Sequence, residues 1–329
     1  MKISASSPQV SVIVPVYNGA WSIARCLDAL IAEQASVPLE IIVVDDGSTD
    51  STLDILQGYQ NQIRVFRQAN AGPGAARNTG VAEATAGLVA FMDSDDEIVP
   101  GRLRMQLDYM QLHPDVILSF GAIAFRSQPD IPYLSTLAPP QGVWSTLTDP
   151  YRHLMTCGGE CVNTMTVMLR RDCFLQVGGF DTRYRCGEDT DLWVRLAELG
   201  PFSYHGQLMS IVNDICHDVK LTRSSYVYTD GPRALLAILS RDRRLSPPDR
   251  AIAVRLVKES AEMMLRYDWT HRGKAQMKSD LALCAPHFGP WFVLKWDFIS
   301  FLPAGLGRLL RRWRNRSRMS AHPKSAPAS

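Results

Sequence analysis

Glu40-Ile41-Ile42-Val43-Val44-Asp45-Asp46-Gly47-Ser48-Thr49-Asp50 sets the fold of this chain. Its unbroken run of branched apolar residues predicts a strand buried on both faces. Two carboxylates follow the run without a spacer, and Ser51 to Tyr59 then reads as a helix with Asp50 as its candidate N-cap. The same alternation extends in both directions. Upstream, Val10 to Val16 is a second β-branched run, and Trp21 to Ala35 carries Ile23, Leu27, Leu30 and Ile31 on one helical face. Downstream, Ile63–Phe66 is a strand, Gly74–Thr85 a helix, Leu88–Met92 a strand, and Pro100–Leu112 a helix with Pro100 in its first turn. Continuous apolar strands alternating with helices predict an α/β fold whose mainly parallel central sheet is covered by helices. Ligands of such sheets bind beyond the carboxyl ends of the strands. Asp45-Asp46 and Asp93 both fall at that edge.

Beyond residue 112 the pattern loosens. Ser127–Asp149 holds Pro129, Pro132, Pro139 and Pro140 and reads as a long loop or flap. Met165–Arg170 is a further strand and Asp189–Leu199 a helix. From Gly231 onward the pattern is helical, with Ala234–Leu239, Ala251–Tyr267 and Lys274–Cys284 as segments. Ser317–Ser329 is polar and rich in small residues, a composition expected to be disordered. The expected division is a catalytic unit over 1–225, a small C-terminal helical region over 226–314, and a basic and polar tail over 315–329.

The chain has 329 residues, 46% hydrophobic and 21% charged, enough apolar mass for a large core. Its seven cysteines are scattered. Cys157 and Cys161 form a C-x3-C pair with no His or Cys partner at zinc spacing, so thiols in a reducing compartment are expected. No secretory leader is expected, because Val10–Val16 is short and lacks a charged flank. Lys295, Asp297 and Pro303 interrupt Trp291–Leu310, so no membrane span is expected there. A cytoplasmic enzyme is the expectation.

Five motifs carry the chemistry. Pro15-Val16-Tyr17-Asn18 puts an aromatic ring at a strand end, where it can stack on a base or simply pack. The carboxylates of Asp45-Asp46 can accept hydrogen bonds from a ribose or a pyrimidine N–H; capping alone does not require two of them. In Gly72-Pro73-Gly74-Ala75-Ala76-Arg77-Asn78, small residues open a helix and let backbone N–H groups approach an anion, with Arg77 one turn in. An ordinary loop-to-helix turn would look the same, and the Lys-Ser/Thr of a P-loop is absent. Asp93-Ser94-Asp95-Asp96 concentrates three carboxylates, which repel one another unless a cation intervenes. Mg²⁺ or Mn²⁺ takes such hard oxygen ligands together with substrate phosphates; a solvated capping turn is the plainer alternative. Gly178-Gly179-Phe180-Asp181 is followed by Gly187-Glu188-Asp189-Thr190-Asp191-Leu192-Trp193, where Glu188 or Asp189 suits a general base. An acidic helix start is also what the helix dipole favours, and Asp191 with Arg195 reads as a surface pair.

In this order, over about residues 8–205, the motifs resemble family 2 of the inverting glycosyltransferases, with the GT-A fold. The resemblance implies a nucleotide-diphosphate-sugar donor, a UDP-sugar favoured, and an acceptor hydroxyl on a glycan or a lipid-linked molecule. It implies that Tyr17 and Asp46 contact the base and Arg77 the base or phosphate. Pro15, Asn18, Asp45, Asp93 and Ser94 complete the donor-facing set. Asp93 and Asp95 correspond to the family's D-x-D, so Asp95 or Asp96 would hold Mn²⁺ or Mg²⁺. Asp189 would be the base, with Glu188 beside it. A downstream histidine serves as a further metal ligand in some GT-A enzymes; His217 is the candidate here and His205 the alternative. Similar proteins build bacterial surface polysaccharides.

Two other functions fit less of the sequence. A sugar nucleotidyltransferase would carry a Gly-rich, Arg/Lys-bearing signature near its N-terminus, which is missing here. A catalytically inactive sugar-nucleotide binding module would not need every acidic position. Arg308, Arg311, Arg312, Arg314, Arg316 and Arg318 follow Trp291, Phe292, Trp296, Phe298, Ile299 and Phe301. A basic segment beside aromatics across 291–318 suits an anionic membrane surface, at the inner face of the plasma membrane. A helix packed on the body with a solvated basic end is the alternative. No nucleic-acid motif accompanies the arginines, so no nucleic-acid partner is expected.

Overall fold

The structure is a computed structural model that describes residues 7–133, 142–157, 162–214 and 225–301. His217, the arginines at 308–318 and the 315–329 tail lie outside the described residues, as does part of the Pro-rich 127–149 segment.

The expected βα alternation is present. Strand β1 (Val10–Val16), helix α1 (Ile23–Glu33), β2 (Leu39–Asp45), α2 (Thr52–Gln57), β3 (Arg64–Arg67), α3 (Pro73–Glu83) and β4 (Leu88–Phe91) follow in order. These four strands are mutually parallel, β3-β2-β1-β4. Their side chains alternate between two apolar layers, as the pleat dictates. Val12, Val14, Val16, Ile41 and Val43 pack with Ile23, Leu27 and Leu30 of α1. Ile13, Ile42 and Val44 face the opposite layer, with Ala76 and Val81 of α3. There α3 comes very close to the sheet: a Cβ on Gly80 would lie 2.4 Å from Cγ2 of Ile13.

The second half of the sheet is built differently. Short β5 (Glu97–Ile98) precedes α4 (Arg102–Leu112), then come β6 (Leu118–Phe125), β7 (Gln128–Tyr133), β8 (Trp144–Leu147), α5 (Pro150–Cys157), β9 (Met168–Arg170), α6 (Arg171–Gln176), α7 (Glu188–Leu196) and β10 (Phe202–Val212). Strand β9 lies antiparallel between β4 and β6, and β10 runs parallel to β6. The amino end of β9 therefore meets the carboxyl end of β4, and the carboxyl end of β10 arrives at the same edge. Buried side chains of α4 hold this inversion. Arg102 donates to the carbonyls of Met165 and Val167, and Gln106 to those of Thr166 and Ser119. Burial pulls the Arg102 guanidinium down to about 9.

Two expectations change here. The 127–149 segment is not loop throughout, since β7 and β8 pair with β6 and β10. Pro129 and Pro132 sit in β7, which pairs with β6 off the main run of the sheet, a position that tolerates missing N–H donors. Pro100 precedes α4 rather than entering its first turn, because Gly101 takes a left-handed φ of 80° as the N-cap.

The C-terminal region is helical: α8 (Asp230–Arg241), α9 (Pro247–Tyr267), a π-helical turn at Asp268–Arg272, and α10 (Lys274–Phe301). Pro286 and Pro290 lie within α10, and the backbone bends at Gly289, φ 75°. Leu236, Leu239, Val257, Leu265 and Trp296 join one apolar layer with Leu192, Trp193 and Phe202, so these helices share a core with the sheet. Among the described residues, no helix is long and apolar enough to cross a membrane.

Candidate active site

The loops leaving β1 and β2 are lashed together by polar contacts. Asn18 is the sole non-glycine with a left-handed φ, 51°, among the described residues. Its amide donates to Oγ of Ser48, and its Oδ1 accepts from the Thr49 amide at 2.8 Å. Asp50 accepts from the Ala20 and Thr52 amides, so it caps α2 from just outside and also ties down the first loop. Tyr17 is 49% exposed at this edge, free to meet a ligand, whereas Pro15 is buried inside β1.

Asp45 and Asp46 are both buried. Asp45 Oδ1 accepts from the Ser48 amide, and Oδ2 lies 3.1 Å from Nε of Arg67. Asp46 Oδ1 accepts from Gln68 and the Ala71 amide, and Oδ2 accepts from the Gly72 amide at 2.8 Å. The Asp46 carboxylate thus shapes the loop that feeds α3.

Arg77, one turn into α3, links the remaining clusters. Its guanidinium donates to Asp93 at 2.6 Å and to Glu188 at 3.4 Å, and lies 5.4 Å from the centre of the Phe180 ring. Burial opposes its charge, but Asp93 and Glu188 overcome that and raise its proton affinity. Asn78 clamps the neighbouring turn in both directions, donating to the Phe180 carbonyl and accepting from its amide. Small residues make this approach possible. A Cβ on Gly74 would stand 3.3 Å from both Glu188 and Phe180, and one on Gly179 would stand 2.5 Å from Asn78 Oδ1.

The carboxylates past β4 diverge. Asp93 turns to Arg77. Ser94 lies beside Gly19, where an added Cβ would meet its Oγ at 3.5 Å. Asp96 is buried and accepts from the Asn213 amide at the end of β10, which ties that strand to the site. The thiol of Cys26 records the local charge: burial pushes its pKa up, and Asp93, Asp96 and Asp95 push it further.

Gly187, φ 83°, opens α7 and presents Glu188 and Asp189. Burial, then Asp189, pushes Glu188 up to about 7, with Arg77 opposing. Burial also raises Asp189, against the hydrogen bond from the Thr190 amide and the charge of Arg77. Thr164 Oγ1 reaches to 3.5 Å from Asp189 Oδ2, a contact that the inverted β9 makes possible.

Two expected roles change. Asp191 is no surface residue: it is buried between Arg195 and Arg241, each at 2.7 Å, and Arg195 also donates to the carbonyls of Val177 and Gly179. His205 lies early in β10, far from that strand's carboxyl end. It packs 5.0 Å from the Trp144 ring and accepts from the Gln207 amide, so it is a packing residue rather than a metal ligand. The structure adds Thr164, Phe180 and Asn213 to the site. Only Phe180 stands in a motif that the sequence singles out, and no spacing there gives it a role.

The fold is shared with solved structures. S. aureus TarS 1–349 in complex with UDP-GlcNAc matches with a TM-score of 0.60 at 20% identity, covering 80% of this chain and 74% of that one. The mannosyltransferase PcManGT of Pyrobaculum calidifontis, solved with GDP-Man and Mn²⁺, matches with a TM-score of 0.52 at 17% identity, covering 90% and 81%. In sequence, the chain is 43% identical over 98 residues to the uncharacterized glycosyltransferase YibD of Escherichia coli K12, spanning 29% of this chain and 28% of that protein. It is 27% identical over 231 residues to the uncharacterized glycosyltransferase RT0329 of Rickettsia typhi, spanning 68% and 69%. Chondroitin synthase of Escherichia coli is 29% identical over 214 residues, spanning 64% of this chain and 29% of that protein. The model of glycosyl transferase family 2 matches residues 11–175, the stretch that contains β1 to β4 and the Asp45, Arg77 and Asp93 clusters, and the chain belongs to that family.

Proposed function

We propose that this chain is an inverting, metal-dependent glycosyltransferase of the hexosyltransferase type. It moves a sugar from a nucleotide-diphosphate donor to a hydroxyl of a glycan or lipid-linked acceptor. The observation that carries this reading is the Arg77 guanidinium, which touches both Asp93 and Glu188 and so brings two acidic clusters into one site.

Tyr17, Asn18, Asp45 and Asp46 form the nucleoside side. The start of α3, opening at Gly72 and Pro73, offers backbone N–H groups toward the diphosphate, with Arg77 behind them. Asp95, with Asp96 beside it, fits Mn²⁺ or Mg²⁺: both are hard oxygens past a strand's carboxyl end, and after burial their charge, with that of Asp93, adds to what holds back ionisation of the Cys26 thiol. Such an ion takes one or two carboxylates and is completed by substrate phosphates. When bound, such an ion neutralises charge on the departing diphosphate.

The protein's own groups do the rest. Asp189 takes the proton of the acceptor hydroxyl, whose oxygen attacks the anomeric carbon as the bond to the diphosphate breaks on the opposite face. A raised carboxylate is a stronger base than a free one, and burial supplies that rise. Glu188, held by Arg77, stays beside it as a second acid. Thr164 and the Thr190 amide orient the Asp189 carboxylate.

UDP-sugars are the favoured donors, in line with the UDP-GlcNAc in the TarS structure. The pathway is bacterial surface polysaccharide synthesis, a reading that the chondroitin synthase match supports. Residues 1–225 act as the catalytic unit, in the cytoplasm and peripherally on the inner face of the plasma membrane. A panel of UDP-, GDP- and dTDP-sugars, scored for binding and Mn²⁺-dependent hydrolysis, tests the proposal. Slow hydrolysis of one class is expected; no binding across the panel would sink it.

A further inference from the structure

The last part of α10, beyond the bend at Gly289, has two unlike faces. Phe292, Trp296 and Ser300 are buried against the body, where Phe292 meets Lys258 and packs near Trp296. The other face is bare. Trp291 is 83% exposed, Leu294 57%, Phe298 68% and Phe301 69%. Their spacing of three, four and three residues puts all four on a single stripe, because each helical residue turns the chain by about 100°. Isolated exposed apolar residues need no explanation, but a stripe of this kind on a fixed helix does.

Charge around the stripe selects its partner. Lys295 pairs with Glu262, and Lys278 pairs with Asp297 while lying 5.2 Å from the Phe301 ring. These pairs leave the helix itself close to neutral. The sequence beyond Phe301 supplies Arg308, Arg311, Arg312, Arg314, Arg316, Arg318 and Lys324, with no Asp or Glu through Ser329. Aromatic and aliphatic side chains beside a strongly basic segment match the interface of an anionic bilayer, where rings sit at headgroup depth and cations meet lipid phosphates. A protein partner with an apolar groove would not call for so many cations.

We propose that Trp291, Leu294, Phe298 and Phe301 form a membrane-insertion face that seats the enzyme on anionic lipid. This deepens the peripheral location proposed above and rests on it. The binding test uses no sugar donor, so its failure leaves the transferase reading standing, and failure of donor hydrolysis leaves this surface standing.

The test is sedimentation of the full chain with vesicles of equal phosphatidylcholine and phosphatidylglycerol, and with phosphatidylcholine alone. Binding is expected to the mixed vesicles and to be much weaker without the anionic lipid. Trp291→Ser combined with Phe298→Ser should weaken binding at least about tenfold, since each ring loses apolar burial. Donor hydrolysis without vesicles should be unchanged. Quenching by brominated lipid gives a second readout on the unsubstituted enzyme: it should be present, and reduced in Trp291→Phe. Equal binding to both vesicle types would overturn the proposal. So would binding by the double variant within twofold of wild type, or absence of quenching. A double variant that turns a dimer into a monomer and still binds vesicles would assign the face to a second copy instead.

Discussion

At the residue scale, Arg77 and the two acids of α7 govern the chemistry. Asp189→Asn removes the base but keeps the shape of the donor side. Donor binding, read by calorimetry, should persist, and transfer should fall at least about a hundredfold, the usual worth of a positioned base. Wild-type transfer in that variant would move the base elsewhere. The pH profile carries the same assignment. A base acts when deprotonated, and both Asp189 and Glu188 are raised, Glu188 to about 7. The acid limb of kcat/KM should therefore lie above the ordinary carboxylate range of about 4. A rate that is flat down to pH 5 would contradict it. Asp95→Ala should weaken donor binding in Mn²⁺ and leave metal-free binding unaltered; an unchanged Mn²⁺ dependence would assign the ligand role to other oxygens.

At the scale of elements, close packing of α3 on β1 explains why the donor side is rigid. Gly80→Ala places a methyl 2.4 Å from Ile13 Cγ2, in a core with no slack on either face. Overpacking of this kind costs about 1–3 kcal/mol, so a lowered midpoint in urea unfolding is expected. An unchanged midpoint would mean that α3 can shift off the sheet freely. The elements of this half were legible because β1, β2 and β4 are near-continuous apolar runs. The strands β6 and β10 were not, for a physical reason. They are buried yet carry Ser119, Ser203 and Ser210, which a pattern of hydrophobicity counts against burial. The structure satisfies each one internally. Ser119 meets Gln106, Ser203 lies 3.0 Å from the Tyr109 hydroxyl, and Ser210 donates to the Glu97 carbonyl. Likewise α10 reads as ending near Cys284 because of its two prolines, but a bend at Gly289 carries it on to Phe301. The site itself was legible wherever acids sit at strand ends. Thr164 and Asn213 were not, since only the inverted β9 and the end of β10 bring them to that edge.

At the scale of the whole molecule, the C-terminal helices bury charge as well as apolar surface. Asp268 and Asp280 lie side by side with no exposure to speak of, with Arg233 gripping Asp280 at 2.8 Å and Arg272 3.4 Å from Asp268. Burial, then Asp280, pushes Asp268 up to about 7 from an ordinary 3.8. The sign follows from linkage: the folded state holds this proton more tightly, so its contribution is full below about 3.8 and lost as pH rises through 7. Asp268→Asn should therefore gain stability relative to wild type as pH rises across that window, seen as a widening gap between melting temperatures. A gap that is constant with pH would mean that Asp268 is ionised throughout.

The family match ends at residue 175, ahead of Glu188 and Asp189, while Arg77 lies well inside it. One guanidinium therefore belongs to the shared half by sequence and to both halves by contact. In a recombinant that joins residues 1–175 of one family member to the remainder of another, the junction in the chain and the seam in space are different places. Success would depend less on where the graft is cut than on whether the incoming half brings a carboxylate for that arginine to hold.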